Sequence, residues 1–192
     1  MSHAKPIATL RSATGIPTGR LAVWWVLASE VVIFGGLIAA YLMHRLGHPE
    51  WGDAAAVTNT MIGTANTFVL LTSSFTAVLA HQAAEHGDGK KAAKYLLFTI
   101  GGALTFVCIK SYEWWYEISH GYTITSNTFW SFYYTMAGLH ALHVIAGAII
   151  MGVVALDAYR GRELQRVELI GIYWHFVDVV WIFLFPLLYI AK

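Results

Sequence analysis

Four groups of ionisable side chains interrupt otherwise apolar stretches of this sequence. Such a group in hydrocarbon costs roughly 2.5–3.5 kcal/mol or more unless it is paired, so each is a candidate for chemistry or structural pairing. Glu30 stands deep in the apolar run Leu21 to Met43, within Leu27-Ala28-Ser29-Glu30-Val31-Val32. A carboxyl at that depth must be neutral or hydrogen-bonded to a neighbouring helix. It is either a packing acid or a proton- or lipid-linked group, and position alone leaves both readings open. Lys110, Glu113 and Glu117 recur at helical spacing and share one face of a helix. A structural ion pair is the favoured reading there. His140 and His143 also share a face, with Gly138 and Gly147 nearby to permit close helix approach. Two histidines can begin a metal or haem site, but a complete one needs ligands from other helices. Interhelical hydrogen bonding is favoured, with Glu30 a candidate partner. Finally, Glu168, His175 and Asp178 form an acid–base–acid stripe flanked by Trp174 and Trp181. Such a stripe can conduct protons or form a polar seam between helices, and spacing does not decide.

The elements that position these groups follow from composition. Of the 192 residues, 57% are apolar or aromatic and 12% are charged, against roughly 25% charged in a soluble domain. Too few polar side chains exist to cover a water-facing surface, so the apolar excess must face lipid. Five apolar stretches stand out: Leu21 to Met43, Met61 to Ala80, Tyr95 to Tyr116, Phe129 to Leu156 and Leu169 to Ile190. Each is long enough to cross ~30 Å of hydrocarbon as a helix. The predicted fold is all-α, an integral membrane bundle of five transmembrane helices over residues 20–192. Residues 1–19, rich in small and polar side chains, are expected to be a mobile cytoplasmic segment. The first run is too long for a signal-peptide core and reads as a retained span.

Positive charge sets the expected orientation. Lys5, Arg11 and Arg20 precede the first span, Lys90, Lys91 and Lys94 follow the second, and Arg160, Arg162 and Arg166 follow the fourth. The opposite side holds only Arg45 and Lys192. This alternation predicts a cytoplasmic N-terminus and an external C-terminus. The three arginines after the fourth span are also candidates for lipid headgroups.

Aromatic residues cluster near the expected span ends, among them Trp24, Trp25, Trp51, Trp114, Trp115, Tyr116, Trp130, Tyr133 and Tyr134. They read as interfacial belts and packing. The hydroxyl-rich second span, with Asn66, Thr67, Thr72, Ser73, Ser74 and Thr76, reads as a helix contact face without chemistry. The single cysteine, Cys108, excludes an internal disulfide and a Cys-based zinc or iron–sulfur site. A net charge of +1 gives no support to a nucleic-acid partner.

Several segments together resemble subunit III of the haem–copper respiratory oxidases. They are Trp25-Val-Leu-Ala-Ser-Glu30-Val, then Asn66-Thr67 with Leu70-Leu71 and Ser73-Ser74, then Lys110-Ser-Tyr-Glu113-Trp. The two longest are Thr135-Met-Ala-Gly138-Leu-His140-Ala-Leu-His143-Val with Gly147, and Tyr173-Trp-His175-Phe-Val-Asp178-Val-Val-Trp181 preceded by Glu168. The likeness runs from about Trp24 to the C-terminus. One departure is that the mitochondrial form has seven spans, and this chain lacks the first two, as known bacterial versions do. A lipid-filled cleft lies between those two helices and the rest in the longer form. Here it requires helices from a neighbouring subunit.

The resemblance implies a non-catalytic subunit of a proton-pumping terminal oxidase in a bacterial cytoplasmic membrane. No metal and no haem would reside in this chain; haem and copper would sit in partner subunits I and II. The implied tasks are to sustain proton uptake into subunit I, to protect the active site during turnover, and to hold phospholipid. A quinol oxidase subunit III shares the fold and is the nearest alternative. A small transporter with Glu30 and Asp178 as coupling acids would call for broken helices, and no Gly/Pro-interrupted pair of spans is present. A b-type cytochrome with histidine haem ligands is a further alternative.

Overall fold

The computed structural model describes residues 18–48 and 51–191. Among the described residues six helices follow one another: α1 (Thr18–Gly47), α2 (Trp51–Ala56), α3 (Thr60–Glu85), α4 (Gly89–Ser119), α5 (Thr128–Tyr159) and α6 (Gln165–Phe185). A single π-helical turn, Pro186–Ile190, extends α6. Five helices are long and apolar enough to span a membrane: α1, α3, α4, α5 and α6 with its extension. Among the described residues no strand is present. Most of the segment expected to be mobile, residues 1–17, lies outside the described residues, as do Lys5, Arg11 and Lys192, whereas Thr18 and Gly19 already belong to α1.

Helix boundaries follow local chemistry. The Asn59 side chain accepts from the N–H groups of Met61 and Ile62, Asp88 accepts from Lys91, and Asn127 accepts from Trp130. Each satisfies donors that the first turn of a helix leaves unpaired. Gly121 and Gly161 take positive φ just past α4 and α5, the conformation that lets the chain leave a helix sharply.

Lipid gives helices no hydrophobic reason to associate, so close packing must come from small residues and interhelical hydrogen bonds. The buried face of α3 is Gly63, Asn66, Leu70, Ser73, Ala77, Ala80, Ala83 and Ala84. Against it α4 sets Ala92, Leu96, Thr99, Ala103 and Phe106. A methyl group placed on Gly102 would lie 2.6 Å from the Ser73 Cβ, so this crossing needs glycine. Two hydroxyls of α3 accept from another helix: Trp174 Nε1 donates to Ser73 Oγ at 3.2 Å, and Trp181 Nε1 donates to Thr67 Oγ1 at 3.0 Å.

By contrast α1 buries only Leu27, Phe34 and Tyr41, one side chain per heptad. Its remaining circumference, including Trp24, Trp25, Val31 and Val32, is exposed. The expected aromatic belt is partly corrected. Trp51, Trp130 and Tyr133 are buried in the protein, because the short helix α2 and the start of α5 fold inward and cover one end of the bundle. Trp51 packs edge-on against Tyr41 and Phe129.

Candidate functional site

The polar groups separate into two regions. The first is built by α4, α5 and the π-helical turn. Lys110 is 1% exposed and Glu113 2%. Lys110 Nζ donates to Glu113 Oε2 at 2.9 Å, to the Tyr133 hydroxyl at 2.7 Å, and to the Tyr189 hydroxyl. The Tyr189 hydroxyl donates to Glu113 Oε2 at 2.9 Å, and the Tyr133 hydroxyl donates to Glu117 Oε1 at 2.9 Å. The ammonium also lies 4.4 Å from the Tyr133 ring centroid and 5.0 Å from that of Tyr189, adding cation–π attraction.

Tyr189 arrives there through the wide turn after Phe185. That turn displaces the ordinary helical bonding pattern, and side chains elsewhere take its carbonyls. Tyr41 donates to Leu187 O at 2.7 Å, Thr58 to Leu188 O at 3.3 Å and Thr60 to Tyr189 O at 3.1 Å. The C-terminal turn is thus pinned to α1, to the α2–α3 link and to α3, while its tyrosine completes the Lys110 network.

In the second region, His143 Nε2 on α5 lies 3.0 Å from Glu30 Oε2 on α1. His143 Nδ1 is 2.8 Å from the Leu139 carbonyl on its own helix. A carbonyl can only accept, so Nδ1 carries a hydrogen. The two form a close acid–histidine pair between α1 and α5, in which Glu30 Oε2 accepts no hydrogen bond of good geometry. Its side chains are 16% and 17% exposed, at the edge where α1 meets α5. Phe34 closes one side, edge-on to the imidazole at 5.3 Å.

His140 does not join it. It is fully buried, stacked on Trp181 at 5.0 Å and edge-on to Phe106 at 5.5 Å, and neither ring nitrogen has a hydrogen-bond partner. Of the two glycines, Gly147 makes the close approach, to Trp174 and Tyr173, where an added methyl would meet ring atoms at 3.2 Å.

The stripe on α6 is divided among neighbours. Glu168 pairs with Arg20 of α1 at 2.5 Å, and His175 Nδ1 is 2.7 Å from Ser74 Oγ of α3. Asp178 is 4% exposed with neither oxygen hydrogen-bonded. Among the described residues no hydrogen bond links these three to one another. Arg166 is held by Asp157 at 2.9 Å and Glu163 at 3.5 Å. Arg160 and Arg162 are exposed, and among the described residues they make no ion pair. No group of three or more His, Cys, Asp or Glu side chains is placed to hold a metal ion among the described residues. The tyrosines of the Lys110 network and the π-helical turn were not picked out as site residues from the sequence. An aromatic at a span end gives the same signal whether it faces lipid or a buried lysine.

Residues 9–192 match the family model described as Cytochrome c oxidase subunit III. The chain belongs to the cytochrome c oxidase subunit III family. It is similar to a protein of Thermostichus vulcanus named Cytochrome c oxidase subunit 3, at 36% identity over 85% of this chain and 83% of that protein. A Corynebacterium diphtheriae protein of the same name is 32% identical over 100% of this chain and 96% of its own length. A Heme-copper oxidase subunit I+III of Aeropyrum pernix is 31% identical over 90% of this chain, which spans 22% of that longer protein. Family and relatives identify a membrane subunit of a haem–copper terminal oxidase, a complex that reduces oxygen. They do not favour the quinol-oxidase or transporter readings, and the family is one of non-catalytic subunits.

Proposed function

We propose that this subunit holds and relays protons beside subunit I of the oxidase, with Glu30 and His143 as its proton-holding pair. The placement of that pair supports the reading: an acid and a histidine approach to 3.0 Å within a span, at the margin of the bundle rather than in its core. The Aeropyrum pernix relative, named as subunits I and III in one chain, supports direct contact with subunit I. Subunit II and the other oxidase subunits complete the complex, and haem and copper belong to those partners. The exposed face of α1 is where a neighbouring subunit would close the cleft. Arg160 and Arg162 are placed to meet anionic phospholipid headgroups, with Arg166 held beside them by its carboxylates. Glu168, His175 and Asp178 serve as a polar seam binding α6 to α1 and α3, and Lys110 with Glu113 as a structural ion pair.

The membrane is a bacterial cytoplasmic membrane, with the N-terminus inside. Positive charge supports that orientation: Arg20, Lys90, Lys91, Lys94, Arg160, Arg162 and Arg166 all fall at one end of the bundle. A reporter fused after Lys192 is expected to read as external, and one inserted at Lys90 as cytoplasmic. The reverse pattern removes the orientation.

The functional test is Glu30→Gln in the assembled oxidase. The amide keeps hydrogen-bonding capacity but cannot exchange a proton. Proton translocation per electron, or the number of turnovers before inactivation, should fall while oxygen reduction begins at the parental rate. A variant that pumps and survives like the parent reduces Glu30 to a packing residue.

A further inference from the structure

Polar side chains that face hydrocarbon must find their hydrogen bonds within protein, because acyl chains offer none. The exposed hydroxyls of the spans do so on their own helices. Ser29 Oγ donates to Val26 O at 2.7 Å, Thr72 Oγ1 to Phe68 O at 2.8 Å and Thr105 Oγ1 to Gly101 O at 2.8 Å. His175 breaks that pattern. Its Nδ1 is 2.7 Å from Ser74 Oγ, but Nε2 has no hydrogen-bond partner among the described residues. The residue is only partly buried, and Nε2 is not one of the enclosed polar atoms, so this nitrogen opens onto the outside of the bundle.

The ring also sits deep in the span. His175 lies roughly 15 Å along α6 from Gln165 at ~1.5 Å per residue, and Ile190 at the other end of the span is farther away. Lipid headgroups at either surface are therefore out of its reach. Val179 and Ile182 follow His175 at helical spacing on α6, and both are exposed. Across the groove, Leu71 and Val78 flank Ser74 at the same spacing on α3, and both are exposed as well. The His175–Ser74 contact is thus the polar centre of an otherwise aliphatic face built by two neighbouring helices. Lipid can cover the four aliphatic side chains, but it leaves Nε2 unsatisfied.

We propose that this α3–α6 face docks a transmembrane helix of another oxidase subunit, which presents a hydroxyl, amide or carboxyl side chain to His175 Nε2 near the middle of the membrane. The aliphatic rim supplies the packing that helix association in lipid depends on, and the one polar contact fixes the depth and rotation of the partner helix. Within this chain, Nδ1 ties α6 to α3; the outward nitrogen ties the subunit to its neighbour. The inference rests on the reading of the chain as an oxidase subunit, and the two fail separately. Absence of the parent chain from the purified oxidase removes that reading, whereas the docking face is scored by what touches it inside the assembled complex.

The first test places a benzophenone amino acid at the exposed Val179 and irradiates the assembled oxidase in its native membrane. An adduct with a transmembrane helix of another oxidase subunit is expected, identified by mass spectrometry, with a hydrogen-bonding side chain at the cross-linked depth. Adducts with lipid alone, with a second copy of this chain, or with a helix lacking such a side chain overturn the proposal. The second test separates the two ring nitrogens. His175→Asn sets an amide where Nδ1 stands and keeps the bond to Ser74, but reaches no farther; His175→Gln extends its amide to the position of Nε2. The fraction of this subunit retained on the complex through a detergent wash should fall about threefold in His175→Asn, the size of a typical interhelical polar contact, and stay near the parental value in His175→Gln. Retention that falls equally in both variants, or in neither, overturns the proposal.

Discussion

Around Lys110, side chains from α4, α5 and the C-terminal turn meet at 0–4% exposure, and every lysine proton is committed. Around Glu30, one acid–histidine contact joins two helices at 16–17% exposure. Both place ionisable groups in hydrocarbon, at comparable intrinsic cost. The first offsets that cost by partner count and so locks elements together. The second has a single pair at a helix edge. The proton handling proposed for Glu30 and His143 is thus set apart from the network that ties the helices together.

The largest test of the contrast is Lys110→Met. It strips the cation from two buried carboxylates, and breaking a buried pair from one side costs about 3–5 kcal/mol. The thermal midpoint of the assembled subunit should fall sharply, or the subunit should be lost from the complex. Adding Glu113→Gln should recover part of the loss, because the groups are in direct contact and their effects do not add. Parental stability in Lys110→Met would show that the network does not hold the helices together.

A smaller effect, of opposite sign, is expected for His140→Phe. His140 is fully buried against Trp181 and Phe106, and its ring nitrogens have no hydrogen-bond partners. Desolvated polar atoms without partners are costly, and an apolar ring of similar shape removes that penalty. A gain of about 1 kcal/mol in unfolding free energy is expected, read as a raised thermal midpoint. A loss instead would mean that a partner reaches this imidazole in the complex.

The sequence made the spans legible because an apolar run of that length has few other solutions. Tyr95 to Tyr116 fell inside the observed α4, which starts six residues earlier, at Gly89, because Asp88 caps it beyond the apolar stretch. Helix α2 was not legible: six residues give too little periodicity to read. The π-helical turn escaped for a similar reason, since its carbonyls are satisfied by Tyr41, Thr58 and Thr60, far away in sequence. Helical spacing correctly grouped Lys110, Glu113 and Glu117, whose contacts are local. It could not divide Glu168, His175 and Asp178 among α1 and α3, nor separate His143 from His140. A shared face says nothing about which helix lies opposite it.

The smallest stability effect belongs to Glu30→Gln, and its smallness is what makes the variant informative. Interhelical polar contacts in membranes average about 0.6 kcal/mol, because the separated helices find other partners. An amide at position 30 has the carboxylate's shape and can still donate to His143 Nε2. The thermal midpoint should therefore move little, in contrast to Lys110→Met. Any deficit in proton translocation or in survival during turnover can then be assigned to the missing exchangeable proton. If Glu30→Gln instead destabilised the subunit as severely as Lys110→Met, the division between a locking network and an exchanging pair would fail. Glu30 would then belong with the groups that hold the bundle together, beside the buried Leu27, Phe34 and Tyr41 and the Arg20–Glu168 pair.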